Sequence, residues 1–389
     1  MSASHLPIGQ VIKDFEITQV LGQGGFGVTY LGIDLSRKSL VAIKEHFPSS
    51  LAVRDPHGGV QAKSPDLEMI FQKTRDDFYS EAHLLSRFPH DALPRFRRLI
   101  EGQGTAYLVM DFEKGETLRK WANAQSPQNL EQDLLHVLNA ICDALQLLHR
   151  NGVYHRDIKP DNIIVRTDGS PVLIDFGIAH DALRAQRRAT ALPDLVLATE
   201  GFSPIEQYSS DAGGPWSDVY SISATCYDVL AHNRLIDARR RAQAQERREP
   251  DPLPPIANAS AVPISPQFAS AISAGMAISP RQRPQSIAAW SAMLPAAQPR
   301  AETVAVETKP LAGKTTWIGT NVLGGLQRGF ATMFKAPANV QPRSVSRQKK
   351  TRGLPSARGG WSTQSILITL CAACLLGFLI MFVGSLMAL

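Results

Sequence analysis

The sequence predicts an α+β fold in two lobes: a small β-rich N-lobe with one helix, about residues 14–112, and a larger, mainly α C-lobe, about residues 118–295. Three observations predict it. Up to Phe112 the apolar residues fall into short runs separated by glycines and turn residues, as strands do. From Leu118 the spacing becomes helical, and Leu134, Leu138, Ile141, Leu145 and Leu148 form one long amphipathic stripe. After residue 295 both patterns stop, and residues 365–389 form an uncharged apolar run.

The elements follow in order. Phe15, Ile17 and Val20 precede a glycine loop, Gly22-Gln23-Gly24-Gly25-Phe26-Gly27-Val28, and Val28, Tyr30 and Leu31 follow it, so two strands flank the loop. Leu40–Lys44 is a short apolar strand. Ser49–Gln72 mixes turn residues and polarity, and is expected to be an insertion or a long loop. Asp77–Phe88 has helical spacing in Phe78, Ala82 and Leu85, and carries Glu81. Leu99–Ile100 and Ala106–Phe112 complete the sheet. In the second lobe further helices are expected at Ser217–Leu230, Phe268–Ile278 and Ser286–Leu294. Arg239–Glu249 is a charged run expected to be a solvated helix, and Pro250–Pro266 a connector.

A length of 389 residues and 44% apolar content allow one large domain with appendages or two domains. Cys142, Cys226, Cys371 and Cys374 show no metal-site spacing and no disulfide framework, which fits a reducing compartment. The net charge of +6 is uneven, because ten basic residues and no acidic ones follow Glu307. The body is therefore net acidic, and nucleic-acid binding is not implied. Residues 296–363, rich in Ala, Pro, Gly and basic groups, are expected to be a juxtamembrane linker. Within it Trp317, Leu323, Phe330 and Phe334 sit near helical spacing, so an interfacial helix is the second reading for 316–335, with its glycines weighing against it. The N-terminus has no signal-peptide pattern. Residues 365–389, as a helix at about 1.5 Å per residue, would span roughly 37 Å against a hydrocarbon core of about 30 Å, so a transmembrane helix is expected.

Four motifs carry chemistry. The glycine loop lets backbone N–H groups approach phosphates closely. A lone G-x-G-x-x-G would also suit a dinucleotide site, but this one lies between two strands and not before a helix. Val41-Ala42-Ile43-Lys44 ends a strand in a cation. His155-Arg156-Asp157-Ile158-Lys159-Pro160-Asp161-Asn162 places a carboxylate, a lysine and an amide together. Asp175-Phe176-Gly177 supplies a second carboxylate. One carboxylate to receive a hydroxyl proton, and an amide and a carboxylate to hold metal on a nucleotide, are what phosphoryl transfer needs.

In this order the motifs resemble those of the protein kinases, over about residues 14–295. Lys44-Glu45-His46-Phe47-Pro48 is similar to a Lys-Glu-Tyr-Phe-Pro signature of a bacterial, Hanks-type serine/threonine kinase group, and departs from it at His46. The resemblance implies the two-lobed protein-kinase fold, with Asp157 as catalytic base, Lys159 beside the transferring phosphate and Lys44 on the α- and β-phosphates. Glu81 would orient Lys44, with Glu68 as a weaker rival; Glu45 neighbours Lys44 on one strand and so faces the other way. Gly22, Gln23, Gly24, Gly25, Phe26 and Gly27 would cover the triphosphate, with Phe26 at the tip. Met110 would be the gatekeeper of a hinge formed with Asp111, Phe112 and Glu113, and Val28, Ala42 and Ile164 would sandwich the adenine. Asn162 and Asp175 would hold Mg²⁺, with Mn²⁺ as the alternative.

The resemblance also implies that Asp218 anchors the catalytic loop and that Glu206, in Ser203-Pro204-Ile205-Glu206, pairs with Arg283. Arg156 before Asp157 points to activation-loop phosphorylation, with Thr190 and Thr199 as the candidates and Thr199 also at the substrate site. The implied partners are ATP, proteins with Ser or Thr, and membrane lipids, together with self-association for trans-autophosphorylation. The implied location is the bacterial cytoplasmic membrane, single-pass, with the catalytic domain in the cytoplasm on the basic side of the span. The alternative is a scaffold of the pseudokinase type.

Overall fold

The computed structural model describes residues 5–176, 199–208, 213–232 and 235–298. Six antiparallel strands form the first sheet, in the order β1-β2-β3-β4-β8-β7: β1 Val11–Ile12, β2 Phe15–Gln23, β3 Gly27–Asp34, β4 Ser39–His46, β7 Phe96–Gly102 and β8 Thr105–Asp111. Alternation divides this sheet into two faces. Val28, Tyr30, Val41, Ile43, Tyr107 and Val109 lie in one core together with Leu6, Ile12 and Phe15, so residues before Asp14 belong to the fold. Leu108 and Met110, from the other face, join the core that runs into the second lobe.

The segment expected as an insertion or long loop is structured. It forms a hairpin, β5 Ala52–Arg54 with β6 Val60–Ala62, followed by the first turns of α1, Pro65–Arg87. Pro65 at the first helical turn and Asp66 and Glu68 after it suit a helix start. Sequence pattern missed the hairpin because its strands have three residues each, too few to show a period. It is fixed instead by a buried ion pair. Arg54 donates to both Glu45 oxygens at 2.9 and 2.7 Å, and Tyr30 Oη donates to Glu45 at 2.7 Å. Burial, followed by the Glu45 charge, raises the Tyr30 pKa, which keeps the phenol a donor.

The chain crosses to the second lobe at residues 112–114 and enters a three-stranded sheet, β11-β10-β9, made of β9 Gly115–Thr117, β10 Ile163–Arg166 and β11 Pro171–Leu173. The helices are α2 Leu118–Asn123, α3 Leu130–Arg150, α4 Pro215–Ala231, α5 Ala238–Glu246, α6 Ile256–Ala259, α7 Pro266–Gly275 and α8 Ile287–Ser291. Every residue of α4 from Ser217 to Ala231 is buried, so it is the central pillar of the lobe, and side chains of α3 and α7 join the same core. Two expectations change here. The charged run is not wholly solvated, because Arg241 is buried against Asp251 and the Met276 carbonyl at 2.8 and 3.0 Å. The connector contributes α6 and the buried Leu253, Ile256 and Ala259 to the core. Among the described residues no helix is long and apolar enough to cross a membrane; the 365–389 run and the 316–335 segment lie outside them.

Candidate active site

The N-lobe half of the site is set by strand register. Lys44 pairs with Thr29 and Leu108, and Ala42 with Leu31 and Met110, which puts Lys44, Ala42 and Met110 on one face. Val28 pairs with Glu45 instead and is buried in the opposite core, so, contrary to expectation, it does not share the Lys44 face; Thr29 holds that position. The glycine motif misled by one residue, because the strand begins at Gly27 and its first side chain, Val28, points to the core on the face away from Lys44. At Gly27 a Cβ would stand 2.3 Å from the Glu45 carbonyl oxygen, so only glycine lets the loop come this close to β4.

Lys44 Nζ lies 2.8 and 3.2 Å from the Glu81 carboxylate and 3.0 Å from Asp175 Oδ1. Burial alone would lower the Lys44 pKa, but the charges of Asp175 and Glu81 outweigh it and hold it raised, so the lysine is cationic. Glu68 is exposed and bonds Gln72, so the weaker rival falls away. Asp175 adopts φ +57°, a left-handed conformation that Asp tolerates better than most residues. Phe176 is buried, with its ring 4.7 Å from that of His155.

The C-lobe half hangs from one buried carboxylate. Asp218, on α4, accepts from the backbone N–H groups of His155 and Arg156 and from His149 Nε2, each at 2.8 Å. Burial would raise its pKa, but these bonds and the His149 and His155 charges keep it below the usual carboxylate range. Gln207 donates to the Arg156 carbonyl at 3.1 Å. Arg156 itself has φ +65°, and its guanidinium lies 5.8 Å from the Tyr154 ring. His149 and Gln207 had no sequence signal; each works through tertiary contact alone.

Asp157 is the centre of the assembled group. Its Oδ2 accepts from Lys159 Nζ at 2.7 Å and from Asn162 Nδ2 at 2.9 Å, and its Oδ1 accepts from Thr199 Oγ1 at 2.7 Å. Asn162 also donates to the Asp157 carbonyl at 2.8 Å. Glu206 and Arg283 form a buried bidentate pair at 2.7 and 3.1 Å, as expected. Ile164 is buried on β10, while its neighbours Ile163 and Val165 join the interlobe core. The Asp111 and Glu113 side chains are engaged outside the cleft, with Arg97 and with Arg166 (2.6 Å) respectively, so only the hinge backbone is left for a ligand. Gly177 and Thr190 lie outside the described residues.

The residues fit a divalent cation carried on phosphates. Asn162 commits its amide nitrogen to Asp157, leaving its oxygen as donor, and Asp175 adds a carboxylate. Mg²⁺ uses such sets of one or two hard oxygens completed by phosphate and water.

The sequence matches the protein kinase domain family over residues 15–291. The chain belongs to the protein kinase family. This kinase is 30% identical over 279 residues to serine/threonine-protein kinase PknA of Nostoc sp., covering 69% of this chain and 44% of the relative. It is 28% identical to PknB of Mycobacterium tuberculosis, covering 72% and 42%. The kinase thus spans less than half the length of these curated relatives. Among solved structures, the apo form of PpkA-294 superposes with a TM-score of 0.65 at 31% identity, covering 75% of this chain and all of the other. The PknI kinase domain of M. tuberculosis, at 18% identity and a TM-score of 0.53, shares the fold.

Proposed function

We propose that the protein transfers the γ-phosphate of ATP to Ser or Thr hydroxyls of proteins. One observation carries this reading: Asp157 is bonded at once to Lys159, Asn162 and Thr199, while Lys44 is held between Glu81 and Asp175. An interaction scaffold would not need these groups aligned, whereas phosphoryl transfer is mostly positioning and charge stabilisation.

In this reading Asp157 orients the incoming hydroxyl and accepts its proton as the bond to phosphorus forms. Lys159, beside that carboxylate, stabilises charge on the transferring group. Lys44 holds the nucleotide's inner phosphates. Asn162 and Asp175 would hold Mg²⁺, which when bound neutralises phosphate charge. Gly22 to Gly27 close over the phosphates, and Ala42, Met110 and Ile164 bound the adenine. Names of the relatives, the Lys159 position and the Thr199 contact favour Ser and Thr over Tyr.

The reading extends to the tail. The uncharged 365–389 run and the basic residues before it support a single span with the kinase domain on the cytoplasmic side of a bacterial membrane. Self-association would allow phosphorylation of Thr190 or Thr199 in trans. Incubation with labelled MgATP, followed by phosphoamino-acid analysis, should find phosphoserine and phosphothreonine; label confined to phosphotyrosine, or none, contradicts the assignment. Resistance of the full chain to alkaline carbonate extraction is expected, and release by it removes the span.

A further inference from the structure

Phe26, at the tip of the glycine loop, packs on Leu51 and Ile70, with Leu67 beside them. Leu51 and Ile70 are buried, yet they belong to neither of the two larger cores. The loop backbone is fixed at the same place. The Phe47 N–H donates to the Phe26 carbonyl at 3.1 Å, and the Gly24 N–H to the Gly27 carbonyl at 2.9 Å. Gly24 and Gly25 are exposed, with open space where a Cβ would stand.

The residues under Phe26 are themselves firmly held. The N–H groups of Leu51 and Ala52 donate to the Pro48 carbonyl, and that of Lys63 donates to the Leu51 carbonyl, all at 2.8 Å. The hairpin behind them is fixed by the Arg54–Glu45 pair at 2.7 Å and by the Val60 N–H on the Gln103 carbonyl at 2.7 Å. Ile70 lies on α1, the helix that also carries Glu81, roughly 16 Å further along its axis. One rigid element therefore reaches Lys44 through Glu81 and the loop tip through Ile70.

We propose that Leu51 and Ile70 are positioning residues for the nucleotide: they form an apolar seat for Phe26 that holds the glycine loop down over the triphosphate, in register with Lys44. The proposal rests on the reading of the cleft as an ATP site. A loop of exposed glycines loses much conformational freedom when it closes on a ligand, and a seat that restricts it beforehand removes part of that cost. The benefit falls on the phosphates, because the tip lies over them and not over the adenine.

The test uses the full chain and calorimetric binding of MgATP and of adenosine, which has no phosphates. Leu51→Ala, Ile70→Ala and Phe26→Ser should each weaken MgATP by about three- to tenfold and leave adenosine unchanged. Phe26→Leu, which can refill the seat, should stay near wild type. The double variant Phe26→Ser/Leu51→Ala should be no weaker than either single one, since both remove the same contact. Phe26→Ser alters only the loop, so it keeps the test decisive if a seat variant fails to fold. Unchanged MgATP affinity with a lowered Tm would make the contact structural only and overturn the proposal. Equal loss for both ligands, or additive losses in the double variant, would also overturn it. A wild-type protein that binds neither ligand removes the ATP reading itself, whereas normal binding with insensitive variants removes only the seat.

Discussion

Among the described residues each lobe buries one carboxylate completely, Glu45 in the first and Asp218 in the second, and the two are used differently. Glu45 meets a cation and a phenol, Arg54 and Tyr30, on the sheet face turned away from the cleft. Asp218 instead accepts two backbone N–H groups of the loop that carries Asp157, and one from His149. A buried ion pair is weak grounds for net stability, because desolvation offsets its attraction, but removing one partner is costly. Carboxylate bonds to backbone donors fix a loop's path. The N-lobe carboxylate therefore builds architecture, and the C-lobe carboxylate positions chemistry.

Breaking each one should separate these roles. Glu45→Ala strands Arg54 and should cost about 3–5 kcal/mol of stability in urea unfolding, with phosphate transfer per folded molecule nearly retained at saturating MgATP. Replacing the pair by Glu45→Leu with Arg54→Met should recover much of that stability; no recovery would mean the hairpin needs the charges. Asp218→Ala should lower kcat by roughly a hundredfold through misplacement of Asp157, with MgATP affinity little changed. A stability loss with unaltered kcat would put Asp218 in the same class as Glu45.

His46 sharpens the contrast, since it neighbours Glu45 and is also buried. Burial, followed by the Arg75 and Lys44 charges, pushes its pKa down to about 3. The unfolded chain, with an ordinary His pKa of about 6.5, takes up its proton first as pH falls. Stability from this residue is thus intact above about pH 6.5 and declines by about 1.4 kcal/mol per pH unit down to about pH 3. Urea midpoints measured from about pH 7 to about pH 5 should fall less steeply for His46→Tyr, the residue of the signature. Parallel curves would show that His46 stays uncoupled from folding.

The chemistry was more legible than the architecture. Motif order singled out Lys44, Glu81, Asp157, Asn162 and Asp175, and the fold pairs Lys44 with Glu81 and Asp175 and Asp157 with Asn162. Asp218, Thr199 and the Glu206–Arg283 pair were also found, through the same resemblance. Val28 failed because a motif does not state which way a strand's first side chain points; the register with β4 does. The hairpin and Arg241 failed for a different reason. A charged residue reads as solvated until its buried partner is known, and Asp251 lies ten residues away across a loop. Gln207 donates to a backbone carbonyl and His149 to a carboxylate 69 residues away, and neither contact leaves a mark in a sequence.

The most direct test of the account pairs two measurements on Asp157→Ala: MgATP affinity by calorimetry and transfer of labelled phosphate to a protein substrate. Asp157 contacts Lys159, Asn162 and Thr199, whereas Lys44 is held by Glu81 and Asp175. The variant should therefore bind MgATP within about threefold of wild type and transfer almost none of its phosphate. Transfer at the wild-type rate would contradict the assignment of Asp157, and with it the claim that this cleft is built for phosphoryl transfer.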